Sequence, residues 1–501
     1  MSHGSISRRS FLKDTAALAA AGAVAAGAAG ESPSAAAGAP NIVFMLIDDL
    51  RFDALGVLGH PFVETPHLDA IARGGVICEN AFVTSSLCSP SRASILTGQY
   101  AHTHGVLDNV TPMPENTPLF PVVLQQAGYD TCFTGKWHMG GESDGPQPGF
   151  NHWVSFKGQG VYVDPVFNIN GKQEKQSGYV TDLITDRAVE FIGRERTSPF
   201  FLYVSHKAVH AEFHPADRHR DCYRDKAWPR PESMADTEEN YRGKPEWVRR
   251  QRKSWHGVDG MYNDTVDYDT FTRRYTETLR AVDDSAGRIM DALREKGVLE
   301  NTLFVFTSDN GFQFGEHGLI DKRTMYEASI RVPLLAHCPA LIPAGSRCSG
   351  MVLNIDFAPT FIEAAGLSVP ENIQGASFMK LLKGEKTPWR GAFLYEYFWE
   401  RSFPQTPTVL GVRTDTHKLM QYHGVWDCYE MYDLENDPDE MNNLLAGLIQ
   451  KHESGTLDGF ISAKAPEPVR KTFKQLHKTL MDLLKETGAR PEPVWSGGSK
   501  G

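Results

Sequence analysis

Residues Asn41-Ile42-Val43-Phe44-Met45-Leu46-Ile47 run straight into Asp48-Asp49. After Asn41 the stretch is apolar without a break. That pattern predicts a strand covered on both faces, since a half-exposed strand would alternate. The design recurs twice. Residues 199–205 (PFFLYVS) end in His206, and residues 302–308 (TLFVFTS) end in Asp309-Asn310. All three predicted strands release polar side chains at their C-terminal ends, the edge at which open α/β sheets bind ligands. Helical spacing alternates with them. Residues 181–194 form one such segment. Residues 271–296 form a clearer one, with Tyr275, Leu279, Val282, Ala286, Ile289 and Leu293 on one stripe and Gly297 as the stop. The predicted core is α/β, a large and mostly parallel sheet sandwiched by helices.

Around this core the chain is long, with 501 residues, enough for about two to four domains. Its 41% hydrophobic and 23% charged residues exclude a disordered chain. No long run of large apolar residues predicts a membrane span. The formal net charge of −11 argues against nucleic acid as a partner. It leaves room for a locally basic site that takes an anion. Residues 217–269 interrupt the α/β rhythm with charges of both signs and scattered tryptophans. They predict a mostly solvated insertion, of the kind that also walls sites. Short strands near 393–397, 409–413 and 417–422, a turn at 433–438 and a helix over 468–487 predict a smaller C-terminal α+β subdomain. The boundaries expected are 38–384 for the catalytic domain and 385–490 for the subdomain, with a flexible tail over 491–501.

At the other end, Arg8-Arg9 precede an Ala- and Gly-rich run and then Ala35-Ala36-Ala37. Residues 1–37 read as a twin-arginine signal, which implies the twin-arginine export machinery as a partner and a periplasmic or extracellular destination. Seven cysteines (Cys78, Cys88, Cys132, Cys222, Cys338, Cys348 and Cys428) leave at least one unpaired. Cys338 and Cys348 flank a short loop and are a candidate disulfide.

The acids at the strand ends carry the chemistry. Adjacent carboxylates after a buried strand repel each other and lose solvation unless a cation sits between them. Asp48 and Asp49 with Asp309 and Asn310 offer only oxygen ligands, which suit Ca²⁺ or Mg²⁺ better than zinc. The plainer reading of either pair alone is a turn or cap; two pairs on strands of one sheet favour the metal.

Two further segments carry a family resemblance. Cys88-Ser89-Pro90-Ser91-Arg92-Ala93-Ser94-Ile95-Leu96-Thr97-Gly98 resembles the sulfatase signature C-x-P-S-R followed by Thr-Gly. Residues 128–138 (GYDTCFTGKWH) resemble the second signature of the same family. The resemblance spans residues 41 to about 443. It implies the alkaline-phosphatase-like sulfatase fold and a formylglycine made from Cys88, so a formylglycine-generating enzyme is an implied partner. It also implies one cation, commonly Ca²⁺, held by Asp48, Asp49, Asp309, Asn310 and residue 88. An aldehyde hydrate would attack sulfur, and its second hydroxyl would later expel sulfate. By the same resemblance Arg92 steadies the hydrate, Lys136, His138 and Lys322 face the sulfate, and His210 protonates the leaving oxygen. His206 shares its loop and is the alternative. His60, His102 and His104 read as loop or core residues.

Several segments, SHKAVHAEF at 205–213 among them, are similar to bacterial N-acetylglucosamine-6-sulfatases. That likeness implies a sulfated glycan from mucin or glycosaminoglycan as substrate. It also implies that Asp321, Arg323 and His423 bind sugar hydroxyls: a carboxylate accepts where a guanidinium donates. Three alternatives remain open from sequence. They are a sulfatase for another sugar, a phosphomonoester or phosphonate hydrolase on the same fold, and a non-catalytic glycan-binding protein.

Overall fold

The computed structural model describes residues 34–36, 38–423, 429–449 and 461–490. Residues 1–33 and 37 of the predicted export segment, Cys428 and the tail after Arg490 lie outside them. The Asn41–Ile47 strand forms as its composition demands. Ile42, Phe44 and Leu46 enter one hydrophobic core and Val43, Met45 and Ile47 the other. It pairs in parallel with Thr302–Ser308 on one side and Phe200–Ser205 on the other. Phe200–Ser205 pairs in parallel with Asp130–Lys136, which pairs in parallel with His152–Phe156. These strands are the middle of a 10-stranded mixed sheet whose outer pairings are partly antiparallel.

Strand register sets where the polar side chains emerge. Ile47 lies opposite Ser308, Leu46 opposite Ser205, and Ser205 opposite Gly135. Asp48, Asp309, His206 and Lys136 therefore leave the sheet at one edge. Gly135 has φ 121°, and a Cβ there would sit 1.8 Å from the Ser205 carbonyl. Only glycine lets the two strands close beside Lys136.

Helices cover both faces. Pro66–Arg73, Val180–Gly193 and Tyr268–Glu295 pack on one. The last two match the predicted helices, and Asp267 caps Tyr268–Glu295 by accepting from the Thr270 amide. On the other face lie Cys88–Thr97, Phe120–Gln126 and Phe357–Ala364. Cys88–Thr97 is buried along its whole length although it is rich in serine. Its polar groups are paired: Ser89 donates to the His138 carbonyl at 2.6 Å, Ser91 accepts from Asn354, and Ser94 meets His104. Pro90 falls in the first turn, where its missing N–H costs no helical bond.

A separate antiparallel sheet orders Ala392–Tyr397, Thr408–Thr414, His417–His423 and Tyr429–Asp433 in sequence, closed by the helix Glu467–Thr487. The last strand goes beyond the three expected from sequence. The sheet is fastened to the core by buried polar contacts. Lys418 bridges Glu327 and Glu440, and the Tyr326, Tyr422 and Tyr432 hydroxyls converge on Glu430.

One expectation fails and a second holds only in part. Cys338 and Cys348 do not pair, because the Val76–Cys78 strand lies between their strands and sets Cys78 opposite Cys348. Residues 217–239 are largely exposed, as expected, but the segment also buries Trp228, Tyr241, Val248, Met261 and Tyr262 against the core.

Candidate active site

The strand-end acids meet beside the signature helix. Carboxylate oxygens of Asp48, Asp49 and Asp309 lie within 4.8 Å of one another, and Asp48, Cys88 and His210 form a second group on the same scale. The Asp49 amide donates to Asp309 Oδ1 at 3.1 Å, and Asn310 Nδ2 donates to Asp49 Oδ1 at 2.6 Å. Asn310 Oδ1 is buried without a hydrogen-bond partner. Four side chains thus supply oxygens, one of them an orphaned acceptor. This donor set fits a hard cation such as Ca²⁺ or Mg²⁺.

The electrostatics agree. Burial disfavours charge on Asp48, yet Lys136, His210 and Arg92 together hold it well below the usual carboxylate range. The other two acids lack that compensation. Burial pushes Asp49 up in spite of Lys322, and burial with the Asp48 charge pushes Asp309 up to about 7. A divalent ion among these oxygens would return both to ordinary ionisation.

Fixed cations surround the acids. Arg92 Nε donates to Asp309 Oδ2 at 2.8 Å, and its Nη1 donates to the Lys136 carbonyl and Ser205 Oγ. Lys136 Nζ contacts Asp48 Oδ2 and donates to Gln159 Oε1. Lys322 Nζ lies 2.6 Å from Asp49 Oδ2. Cys88 opens the signature helix, its Sγ 3.4 Å from Asp48 Oδ1. Burial first, and Asp48 second, push its thiol far above the ordinary range. An unmodified Cys88 is therefore a protonated, unreactive thiol. His138 adopts a left-handed backbone and turns its ring to Ser89 at 3.4 Å.

A cavity of about 130 Å³ opens beside this cluster, lined by Asp49, His210 and Lys322 together with Asp321 and Arg323. His138 is not on its wall. His210 Nε2 is 3.9 Å from Asp49 Oδ2. His206 is buried elsewhere, with Nε2 on Ser285 at 3.0 Å, so the loop presents His210. Arg323 is held by Asp321 at 2.8 Å and Glu400 at 2.6 Å, with Phe403 3.6 Å from the guanidinium. The remaining wall is Asn109, Gln159, Ala211, Trp255, His256, Tyr262, Phe312, Ile320 and Phe403. Phe403 opens a segment (403–407) similar to N-acetylglucosamine-6-sulfatases; no sequence motif points to the others as site residues. Gln159 follows no pattern, and Trp255, His256 and Tyr262 lie in the segment expected to be solvated. His423 is not on this wall. It ends its strand opposite Thr408, with Nε2 buried and unpartnered. His60 packs against Trp228, His102 binds Glu396 and His104 binds Ser94, all off the cavity. A larger cavity of about 330 Å³ near Arg51, Trp228 and Glu440 contains none of the clustered acids.

The family model for sulfatases matches residues 40–367. The chain belongs to the sulfatase family. It is accordingly a sulfuric ester hydrolase. A second model, the C-terminal region of N-sulphoglucosamine sulphohydrolase, matches residues 315–456 of this sulfatase. An N-acetylglucosamine-6-O-sulfatase of Bacteroides thetaiotaomicron is 36% identical, over 81% of this chain and 82% of that protein. The N-acetylglucosamine-6-sulfatase of Homo sapiens is 29% identical over 81% of each. A solved structure of a protein with its substrate D-glucosamine-2-N,6-O-disulfate is 34% identical, covers 90% of this sulfatase and 98% of that chain, and superposes with a TM-score of 0.79. The phosphonate monoester hydrolase of Agrobacterium radiobacter, at 20% identity and a TM-score of 0.73, covering 89% of this chain and 96% of its own, shares the fold. Among the described residues no helix is long and apolar enough to cross a membrane.

Proposed function

We propose that this sulfatase hydrolyses the 6-O-sulfate of N-acetylglucosamine in mucin or glycosaminoglycan fragments. It does so with a formylglycine at position 88 and one divalent cation, Ca²⁺ ahead of Mg²⁺. The observation that carries the reading is the shared cavity. Asp49, His210 and Lys322 line the same cavity as the buried Asp321 and Arg323 pair. A sulfate and a sugar ring need such adjacent surfaces, one cationic and one able both to donate and to accept. The 36% identical N-acetylglucosamine-6-O-sulfatase and the relative bound to a 6-O-sulfated glucosamine support this sugar.

Asp48, Asp49, Asp309 and Asn310 hold the cation, which when bound polarises sulfate oxygens as a Lewis acid. Conversion of Cys88 supplies an oxygen nucleophile that the buried thiol does not. Cys88 is 0% exposed, so the formylglycine-generating enzyme must act before the chain folds. The Arg8-Arg9 segment then sends the folded protein out of the cytoplasm. Lys136 and Lys322 offer fixed positive charge to the sulfate oxygens. Arg92 acts through the groups it fixes, the Asp309 carboxylate and the Lys136 carbonyl. His210 Nδ1 contacts the Ala211 carbonyl, which can only accept. Nδ1 therefore carries a hydrogen, and burial holds the free ring well below its ordinary value, so Nε2 is bare until the charge of a bound sulfate lets it take a proton from solvent; it then gives that proton to the sugar oxygen as its bond to sulfur breaks.

Sulfate release from purified, formylglycine-bearing protein tests the proposal. The panel is N-acetylglucosamine-6-sulfate, galactose-6-sulfate, N-acetylgalactosamine-4- and 6-sulfates, an aryl sulfate and an aryl phosphate. Preference for the first is expected. Preference for another sugar sulfate overturns the assignment of the sugar, and release of phosphate alone overturns the chemistry.

A further inference from the structure

We propose that His256, together with Asp321, grips one hydroxyl of the sugar and so sets which sugar the enzyme accepts. The proposal rests on the reading of this site as that of a carbohydrate sulfatase and adds to it a residue from the 217–269 segment.

Two buried polar atoms in the cavity wall lack hydrogen-bond partners, His256 Nδ1 and Asp321 Oδ2. They are 3.4 Å apart. His256 is 3% exposed and Asp321 2%. Leaving both without a hydrogen bond costs about 1–3 kcal/mol for each group, a cost that a bound hydroxyl would remove. A single hydroxyl satisfies both. Its hydrogen goes to Asp321 Oδ2, and a lone pair receives the His256 Nδ1 hydrogen. The other Asp321 oxygen is already taken by Arg323, which orients the carboxylate.

The backbone fixes His256 with equal firmness. The Ile320 amide donates to the His256 carbonyl at 2.7 Å, and the Val258 amide donates to the Gly318 carbonyl at 3.0 Å. Gly257 and Leu319 form an antiparallel bridge. The segment is thus zipped to the strand-like approach to Asp321, and the two side chains are held in register. Phe403 stacks on the imidazole at 4.6 Å and 23°, and Trp255 lies 4.6 Å from it on a tilt. Burial lowers His256 to about 4, so the ring is neutral throughout the working range, and the Asp321 carboxylate 3.4 Å from Nδ1 favours the tautomer that carries its hydrogen there.

The test compares wild type with His256→Leu and His256→Asn, the second of which keeps an amide donor near the Nδ1 position. For each protein kcat/KM is measured on the preferred sugar sulfate and on an aryl sulfate that has no sugar hydroxyl. We expect the sugar-to-aryl ratio to fall about tenfold or more in His256→Leu, mainly through KM, and to recover in His256→Asn, as the loss of one buried hydrogen-bonded pair requires. Among monodeoxy analogues, one that is poor for wild type should be no poorer for His256→Leu than the parent sugar. An unchanged ratio in a folded Leu variant, or equal penalties for every deoxy analogue in both proteins, overturns the proposal. Failure of the underlying reading shows separately, in wild type alone, as aryl sulfate turnover without turnover of 6-sulfated N-acetylglucosamine. If wild type prefers another sugar sulfate, the ratio measured on that sugar still decides for His256.

Discussion

The charged cluster rises from the ends of adjacent strands in the sheet, whereas the wall facing it is assembled from loops far apart in sequence. Asp48, Lys136, His206 and Asp309 each follow or end a parallel strand, and their relative positions are set by hydrogen-bonded register. Asp321 and Arg323, His256, and Phe403 come from three different connections. Register places a side chain to a fraction of a strand spacing, and it tolerates the repulsion of Asp48, Asp49 and Asp309 because the sheet cannot relax. Loops lack that frame and must be tied down individually. Here the ties are Glu400 on Arg323, Phe403 stacked on Arg323 and His256, and the backbone zipper at 256–258. The strand ends therefore perform chemistry common to any sulfate ester, and the loops select the alcohol. Substitutions at the two places should separate those tasks.

The largest effect should come from Cys88→Ala. Turnover of every ester should fall roughly 10⁴-fold or more, as when a nucleophile is removed. The fold should persist, since one small buried side chain is lost. Near-normal sulfate release from Cys88→Ala, with melting unchanged, would break the assignment of the nucleophile. Removal of the cation comes next. Dialysis against a chelator should abolish activity on sugar and aryl sulfates alike, and Ca²⁺ should restore it. At a hundred times its Kd, Ca²⁺ should add about 2.7 kcal/mol of stability, read as a rise in Tm. Asp309→Asn should remove that rise. A Tm indifferent to Ca²⁺ in wild type would argue that the acids are compensated by Lys136, Arg92 and Lys322 alone.

Arg323→Met sharpens the contrast by acting on the wall only. It should cut kcat/KM about 10- to 100-fold on the sugar sulfate and much less on an aryl sulfate. Equal losses on both would mean that Arg323 supports Lys322 and not the sugar.

The same division explains what the sequence disclosed. The Asn41–Ile47, Phe200–Ser205 and Thr302–Ser308 strands were legible because burial on both faces forces an uninterrupted apolar run. Their terminal acids were legible because nothing but a ligand or a turn justifies them there. The signature helix was legible as a motif, although its buried serines would have argued against it on periodicity alone. The wall was not. Trp255, His256 and Tyr262 lie among charges that resemble a solvated loop, and only the pairing of 256–258 with 318–320 turns His256 inward. No local pattern encodes a contact between segments about sixty residues apart. His423 was assigned by family likeness alone; it ends its strand opposite Thr408, outside the lining of this cavity, as Lys136 and Cys88 also are.

The smallest predicted effect concerns how the C-terminal sheet, which carries Glu400 and Phe403 on its connecting loop, is seated on the core. His102 joins the two. Its Nδ1 meets Glu396 at 2.8 Å and its Nε2 meets the Thr487 carbonyl at 3.0 Å, so both ring nitrogens face acceptors. Burial opposes protonation, but the Glu396 carboxylate outweighs it and raises His102 above its ordinary value. A group whose folded pKa is raised lends stability that is complete below its unfolded pKa and fades as pH climbs through the folded one. His102→Gln keeps a donor but loses the charge. Its Tm deficit against wild type should therefore be larger at pH 6 than at pH 9. The pair is largely buried, with side-chain exposure of 11% for His102 and 0% for Glu396; Gln keeps a hydrogen bond and loses only its charge assistance, worth about 1 kcal/mol, so the difference should stay within about 4 °C. Because Glu396 and Phe403 belong to one sheet and its loop, the sugar-to-aryl ratio should drift down with that deficit. The Ca²⁺-dependent rise in Tm, which belongs to the strand ends, should not.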